Sequence, residues 1–217
     1  MTPREWLGHN AGEIGDLTGW HVWLSVLPLL TGLVIALPLG WLAHRSRRVY
    51  PLLVALAGLV YTVPSLALFI LLPKVLGTRI LDPVNVVVAL SVYTTALLVR
   101  VVADGLSAVP AEAVQSAHAM GYRPHQRLLR IELPIAVPVI AAGLRVAAVS
   151  NVSLVSMAAL LGVPQLGSLF TEGFQLRFYT PIVTGVVLSL VIALLLDGLI
   201  LFAGHALTPW KPRRTAS

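Results

Sequence analysis

Cysteine is absent from the 217 residues, which excludes disulfides, thiolate metal sites and cysteine nucleophiles. Charge is scarce: Asp, Glu, Lys and Arg supply 11% of the chain, against about a quarter of an ordinary soluble domain. No Gly-x-x-x-x-Gly-Lys-[Ser/Thr] phosphate loop occurs, so any ATP hydrolysis is expected on another chain. His-Glu-x-x-His and Gly-x-Ser-x-Gly are missing too. The six histidines are scattered, which leaves no metal site and no catalytic residues to nominate, and an intramembrane enzyme is disfavoured. The start of the chain carries Arg4, Glu5, Glu13 and Asp16 but lacks the basic segment, short apolar core and cleavage site of a secretory signal. The first apolar segment is therefore expected to stay in the mature protein.

What the chain does have is long apolar runs: 57% of residues are hydrophobic and the mean hydropathy is +0.87. Runs without alternating polar faces suit lipid as the solvent. Five segments, Trp20–Ala43, Pro51–Leu72, Val84–Leu106, Ala136–Leu161 and Pro181–Gly204, are apolar over the roughly 20 residues that a helical crossing needs. None alternates with the period of two that barrel strands require. The expected fold is an all-α polytopic bundle of about five transmembrane helices. Its organisation is an N-terminal segment (1–19), a transmembrane domain (20–205) and a basic tail (206–217).

The net charge of +6 sits in short clusters between the apolar runs, which speaks for topology and against nucleic acid as a partner. Arg45, Arg47 and Arg48 follow the first span, Arg123, Arg127 and Arg130 the third, and Lys211, Arg213 and Arg214 the fifth. The other side has Arg4, Lys74, Arg79 and Arg177, a split of nine to four. The positive-inside rule then puts the N-terminus outside the cell membrane and the C-terminus in the cytoplasm. A re-entrant piece within 162–180 is compatible with that arrangement.

The loop from Val109 to Pro134 is long, polar and punctuated like a helical hairpin. Pro110 suits a first helical position and Glu112 the negative charge favoured in a first turn. Gly121 can end that helix in a left-handed conformation, and Pro124 can start a second short helix, His125–Ile131, before Leu133-Pro134 returns to the membrane. Ala113, Ala117 and Met120 share a face of the first helix, a small-residue surface suited to a groove on a partner. The alternative is an amphipathic loop lying on the membrane lipid.

This loop resembles the cytoplasmic signature of ABC-importer permeases: Glu-Ala-Ala, three residues, Gly, nine residues, Ile-x-Leu-Pro. Here Gln115-Ser116-Ala117, Gly121 and Ile131-Glu132-Leu133-Pro134 keep that spacing. Gln and Ser replace Glu and Ala, which removes a charge that can pair with an ATPase arginine; Glu112 is the nearest substitute. Further stretches narrow the likeness to permeases of glycine-betaine, choline and carnitine importers. These are His21-Val22-Trp23-Leu24-Ser25, Leu37-Pro38-Leu39-Gly40, Val63-Pro64-Ser65-Leu66-Ala67-Leu68, Ala89-Leu90-Ser91-Val92-Tyr93 with Arg100, and Ala142-Gly143-Leu144-Arg145. Thr94-Thr95-Ala96 and the loop from Gly162 to Gly167 depart from that pattern. The resemblance implies a type I importer permease fold with the hairpin (109–134) as the ATPase-coupling element. It also implies ATP and Mg on two cytoplasmic ATPase subunits, a second permease chain and an extracellular binding protein that carries the high-affinity site. An amino-acid permease of the same class and a secondary transporter are the alternatives, and the two-halved symmetry of the latter is absent.

Within the spans, Pro28, Gly32, Pro38, Gly58 and Gly143 suit close helix packing, while Pro64 in Tyr61-Thr62-Val63-Pro64-Ser65 equally suits a bend lining a pathway. Tyr61, Thr62, Pro64, Ser65, Tyr93, Thr94, Thr95, Ser150, Asn151 and Ser153 can line a polar path or hydrogen-bond between helices. Tyr61 and Tyr93 are the candidates for cation–π contact with a quaternary ammonium. Arg100 and Asp104, four apart, can pair on one helix face. Arg145 can snorkel or tie the hairpin to the bundle, and Asp197 needs a partner, Arg100 or Arg145.

Overall fold

The computed structural model describes residues 2–46 and 48–210. The predicted charges Arg47, Lys211, Arg213 and Arg214, and most of the basic tail, lie outside the described residues. The chain forms helices α1 (Pro3–His9), α2 (Ala11–Arg45), α3 (Val49–Thr62), α4 (Ser65–Leu76), α5 (Pro83–Ser107), α6 (Ala111–Ala119), α7 (Pro124–Arg127), α8 (Leu133–Ser156), α9 (Ser168–Gln175) and α10 (Tyr179–Ala206). No strand occurs among the described residues.

Four helical runs are individually long and apolar enough to cross a bilayer: α2, α5, Pro124–Leu161 and α10. The predicted second span is not one straight helix. It breaks into α3 and α4, bent by 101°, and only as a pair do they match a fifth span. The cause is Pro64, which has no N–H to donate and which holds Val63 in an extended conformation (ψ 129°). The first helix is longer than predicted. α2 has 35 residues, about 52 Å at 1.5 Å per residue, so the stretch before Trp20 belongs to the same helix. α1 precedes it with a capping box between Thr2 and Glu5.

α2 and α5 pack side by side at the centre, α8 lies against both, and α10 covers α8. Glycine sets the closeness of the central pair. A Cβ on Gly32 would sit 2.5 Å from Thr94 Cβ, and one on Gly40 2.6 Å from Val102 Cβ and 3.0 Å from the Val99 carbonyl. The core between them holds Leu29, Ala36, Leu98, Val99, Ala147 and Ala148, all buried. Gly32→Val therefore has to separate α2 from α5. Overpacking of this kind costs about 1–3 kcal/mol; the thermal midpoint of the purified protein is expected to fall, whereas Gly58→Val, where a Cβ meets nothing within 4 Å, leaves it in place. Equal midpoints would refute the close-packing role.

Apart from the side of Asp197, α10 is largely apolar yet buries little of itself: Leu190, Leu194, Leu195, Leu199 and Phe202 are 58–73% exposed. Such a surface is stable only against lipid or another apolar helix. α9 has eight residues, about 12 Å, and packs on α10 without approaching the length of a crossing.

Candidate functional site

The hairpin is built close to its sequence pattern, with three corrections. Pro110 is the cap residue before α6 and not its first helical position. Gly121 takes the left-handed conformation (φ +79°); its N–H donates to the His118 carbonyl at 3.0 Å and Tyr122 N–H to that of Ala117 at 3.1 Å, closing the helix as a glycine stop does. The second arm is not a separate helix over 125–131. α7 passes through a π-helical turn, Leu128–Glu132, straight into α8, so Leu133-Pro134 continues a helix; Pro134 stands in the first turn of α8, where its missing N–H costs little.

The third correction concerns the face of α6. Ala117 is wholly buried within this chain and Ala113 half-buried, because α6 leans on the π turn. Only Met120 of the predicted trio is open, at 66%. The surface that α6 offers is instead Glu112, Gln115, Ser116 and Met120. Ile131, Leu133 and Pro134 are half-buried at the root of the hairpin. Glu132 is buried there and accepts a hydrogen bond from Arg127 Nε, fixing the π turn across its own backbone. Removing Arg127 would leave the buried Glu132 carboxylate uncompensated, which is strongly destabilising.

Within the bundle, Tyr61, Tyr93, Thr94, Ser150 and Asn151 meet around a narrow cleft completed by Leu97, Ala147 and Leu154. The two tyrosine rings stand edge to face, centroids 5.9 Å apart, a favourable aromatic geometry. Tyr93 Oη donates to the Val63 carbonyl, an acceptor at the Pro64 bend. Asn151 is buried; it exchanges hydrogen bonds with Thr94 Oγ1 at 3.0–3.2 Å and donates to the Ser25 carbonyl at 3.4 Å. The other predicted path residues lie elsewhere. Thr62 donates to Leu59 in its own helix and Thr95 to Ser91 and, at 3.5 Å, to Gly32 on α2. Pro64 and Ser65 form the bend itself, and Ser153 is exposed on the flank of α8.

Of the charges, Arg100 and Asp104 pair at 3.5 Å on an exposed face of α5, and Tyr50 Oη donates to Asp104 at 2.7 Å. Asp197 selects Arg145: Nε and Nη2 reach its two oxygens at 2.6 and 2.8 Å. Arg145 therefore ties α8 to α10 and does not hold the hairpin, because its guanidinium is committed to a two-pronged carboxylate contact.

Sequence reading missed the far end of the bundle. His21 and Gln165 are both fully buried, with His21 Nδ1 and Gln165 Oε1 3.1 Å apart. Gln165 also donates to the Ser156 carbonyl at 3.3 Å and so pins the loop after Gly162 onto α2 and α8. The clue available was a glutamine between Pro164 and Leu166 in an otherwise apolar loop. On α9, burial holds the Glu172 carboxyl above its ordinary range, and the charge of Glu13 adds to the effect.

Residues 29–207 match the model of a family described as binding-protein-dependent transport system inner membrane component. Over 212 residues the chain is 31% identical to the osmoprotectant import permease protein OsmW of Salmonella typhimurium, covering 96% of this chain and 98% of that one. It is 27% identical to the choline transport system permease protein OpuBB of Bacillus subtilis, covering 94% and 93%. Among solved structures, an inward-facing MetNI methionine ABC transporter superposes with a TM-score of 0.74 at 23% identity, over 98% of this chain and all of that one. An amino acid ABC transporter superposes with 0.72 at 15%, over 95% and 99%. At such identities the superpositions speak for the fold alone.

Proposed function

We propose a function from the premise that this chain belongs to the family of binding-protein-dependent transport system inner membrane components. It is the transmembrane permease subunit of an ATP-driven importer for osmoprotectants such as glycine betaine, choline or related quaternary amines. What carries this is the similarity to an osmoprotectant import permease along nearly the whole of both chains. The chain is non-catalytic, and ATP and Mg act on cytoplasmic ATPase subunits that receive the hairpin (109–134). Glu112, Gln115, Ser116, Met120 and Gly121 form the docking surface, while Ala113, Ala117, Ile131, Leu133 and Pro134 hold it in shape. A second permease chain, identical or homologous, completes the translocation path, and a binding protein delivers the solute from outside. The transmembrane domain spans 20–205, with the N-terminal segment outside and the tail in the cytoplasm.

The polar cleft supports the same reading. Tyr61 and Tyr93 beside a buried amide would offer a ring face to a cation of low hydration once the helices move to open the cleft, since aromatic rings attract such a cation and water holds it weakly. Pro64 and Ser65 at the bend, and Thr62, Thr95 and Ser153 around it, would join the path only if the helices rearranged. Uptake of labelled choline, glycine betaine, carnitine and methionine into vesicles holding the complete transporter tests the proposal. ATP-dependent accumulation of the quaternary amines and not of methionine is expected. Accumulation without ATP, or of methionine alone, would overturn it.

A further inference from the structure

The end of α2 remote from the hairpin carries a groove that shares no residue with the cleft around Tyr61 and Asn151. Gly15, Asp16, Gly19, Trp20 and Trp23 line it, an open depression of about 410 Å³. Positions 16, 20 and 23 fall on one helix face at spacings of four and three. The indole rings of Trp20 and Trp23 stand edge to face, centroids 5.7 Å apart, and are 43% and 44% exposed. At Gly15 and Gly19 an added Cβ would meet nothing within 4 Å, so the floor of the groove is bare backbone open to whatever enters. Asp16 has no ion-pair partner among the described residues.

We propose that this groove binds an alkylammonium cation, with the Asp16 carboxylate supplying charge and the Trp20 and Trp23 rings supplying cation–π contact. Indole is the strongest of the aromatic cation hosts, and a site that adds an anion to two indoles selects cationic heads over neutral ones. The carboxylate also sets a preference. It repels a solute that carries its own carboxylate, so choline binds better than glycine betaine here, the discrimination being electrostatic. The groove sits where α2 enters the apolar span, the level at which tryptophans meet lipid head groups. A free solute and the ammonium of a phospholipid head present the same chemistry to it. Neither source depends on ATP-driven transport, so the site stands or falls separately from the proposed function.

The five tryptophans, Trp6, Trp20, Trp23, Trp41 and Trp210, allow a direct test by fluorine NMR of the full chain labelled with 5-fluorotryptophan in lipid nanodiscs. In phosphatidylglycerol discs, whose head group has no ammonium, choline and tetramethylammonium are expected to shift the Trp20 and Trp23 signals saturably. Sodium at equal ionic strength leaves them in place, and Trp41 and Trp210 serve as internal references. Asp16→Asn is expected to weaken the response roughly fivefold or more, the scale of a charge contact near water. Gly19→Leu, whose Cβ would meet nothing within 4 Å and whose side chain would occupy the groove, is expected to abolish it while the remaining signals keep their positions. Signals already shifted in phosphatidylcholine discs before any free cation is added would identify the head group as the source; an unshifted start with a response to free choline would identify the solute. No saturable shift in phosphatidylglycerol together with identical spectra in both lipids would overturn the site, as would a response indifferent to Asp16→Asn and Gly19→Leu.

Discussion

Replacing Asp197 by Asn is expected to lower the amount of this chain recovered from membranes several-fold and to abolish whatever transport the complex performs. The reason is stranding. Arg145 meets Asp197 through two short hydrogen bonds, joining α8 to α10 in the middle of a transmembrane bundle. With the carboxylate gone, a guanidinium that cannot be deprotonated faces hydrocarbon or the core without a counter-charge, and the helix pair loses its polar tie. Arg145→Leu strands the carboxylate in the same way. The double variant Arg145→Leu with Asp197→Leu should recover more protein than either single change, since an apolar pair leaves no charge uncompensated. Wild-type recovery and transport in Asp197→Asn would show that the contact is dispensable, and absence of rescue in the double variant would show that the charges act separately.

The second large effect is expected at Gly121. Its φ of +79° is the left-handed region, while the space beside it is empty. Size is therefore not the issue, and backbone conformation is. A side-chain-bearing residue pays about 1–2 kcal/mol there, which lowers the population of the correctly folded hairpin by roughly five- to thirtyfold where that hairpin is marginal. Gly121→Val should be worst, since β-branched residues avoid this region, and Gly121→Asn mild. Uptake by the whole transporter and co-purification of the ATPase subunits are the readouts, with insertion of the chain into membranes as the control. A bulky residue that leaves coupled uptake at wild-type level would count against the proposed docking role of the hairpin.

Much of the architecture is legible in the residues because lipid imposes a simple rule: apolar runs of about 20 residues become helices. The third and fifth predicted spans differ from the observed helices by one or two residues at their ends, and the fourth is the later part of the run Pro124–Leu161. The second misleads because hydropathy does not see direction, and only Pro64 with its extended neighbour turns the chain by 101°. Spacing in the hairpin was readable because proline and glycine act locally, through a missing N–H and a permitted positive φ. The burial of Ala117 was not, since it depends on a π turn eleven residues later that no local pattern announces. The same holds for the cleft. Tyr61, Tyr93, Thr94, Ser150 and Asn151 were candidates by chemistry, but Thr95 and Ser153, equally polar, point away because helix rotation is set by packing at Gly32 and along α8. The choice of Arg145 over Arg100 for Asp197 belongs to that class as well.

The uninterrupted helical run from Pro124 to Leu161 has a mechanical meaning. Its 38 residues make a strut of about 57 Å, with the basic arm of the hairpin at one end and Ser150, Asn151 and Leu154 farther along it. A tilt of about 5° imposed at the arm becomes a displacement of about 5 Å at the opposite tip. No loop interrupts the run between the hairpin arm and the cleft, so a stroke received at the hairpin as proposed would be carried along it as by a pushrod, with the π turn, clasped by Arg127 and Glu132, setting how much of it arrives.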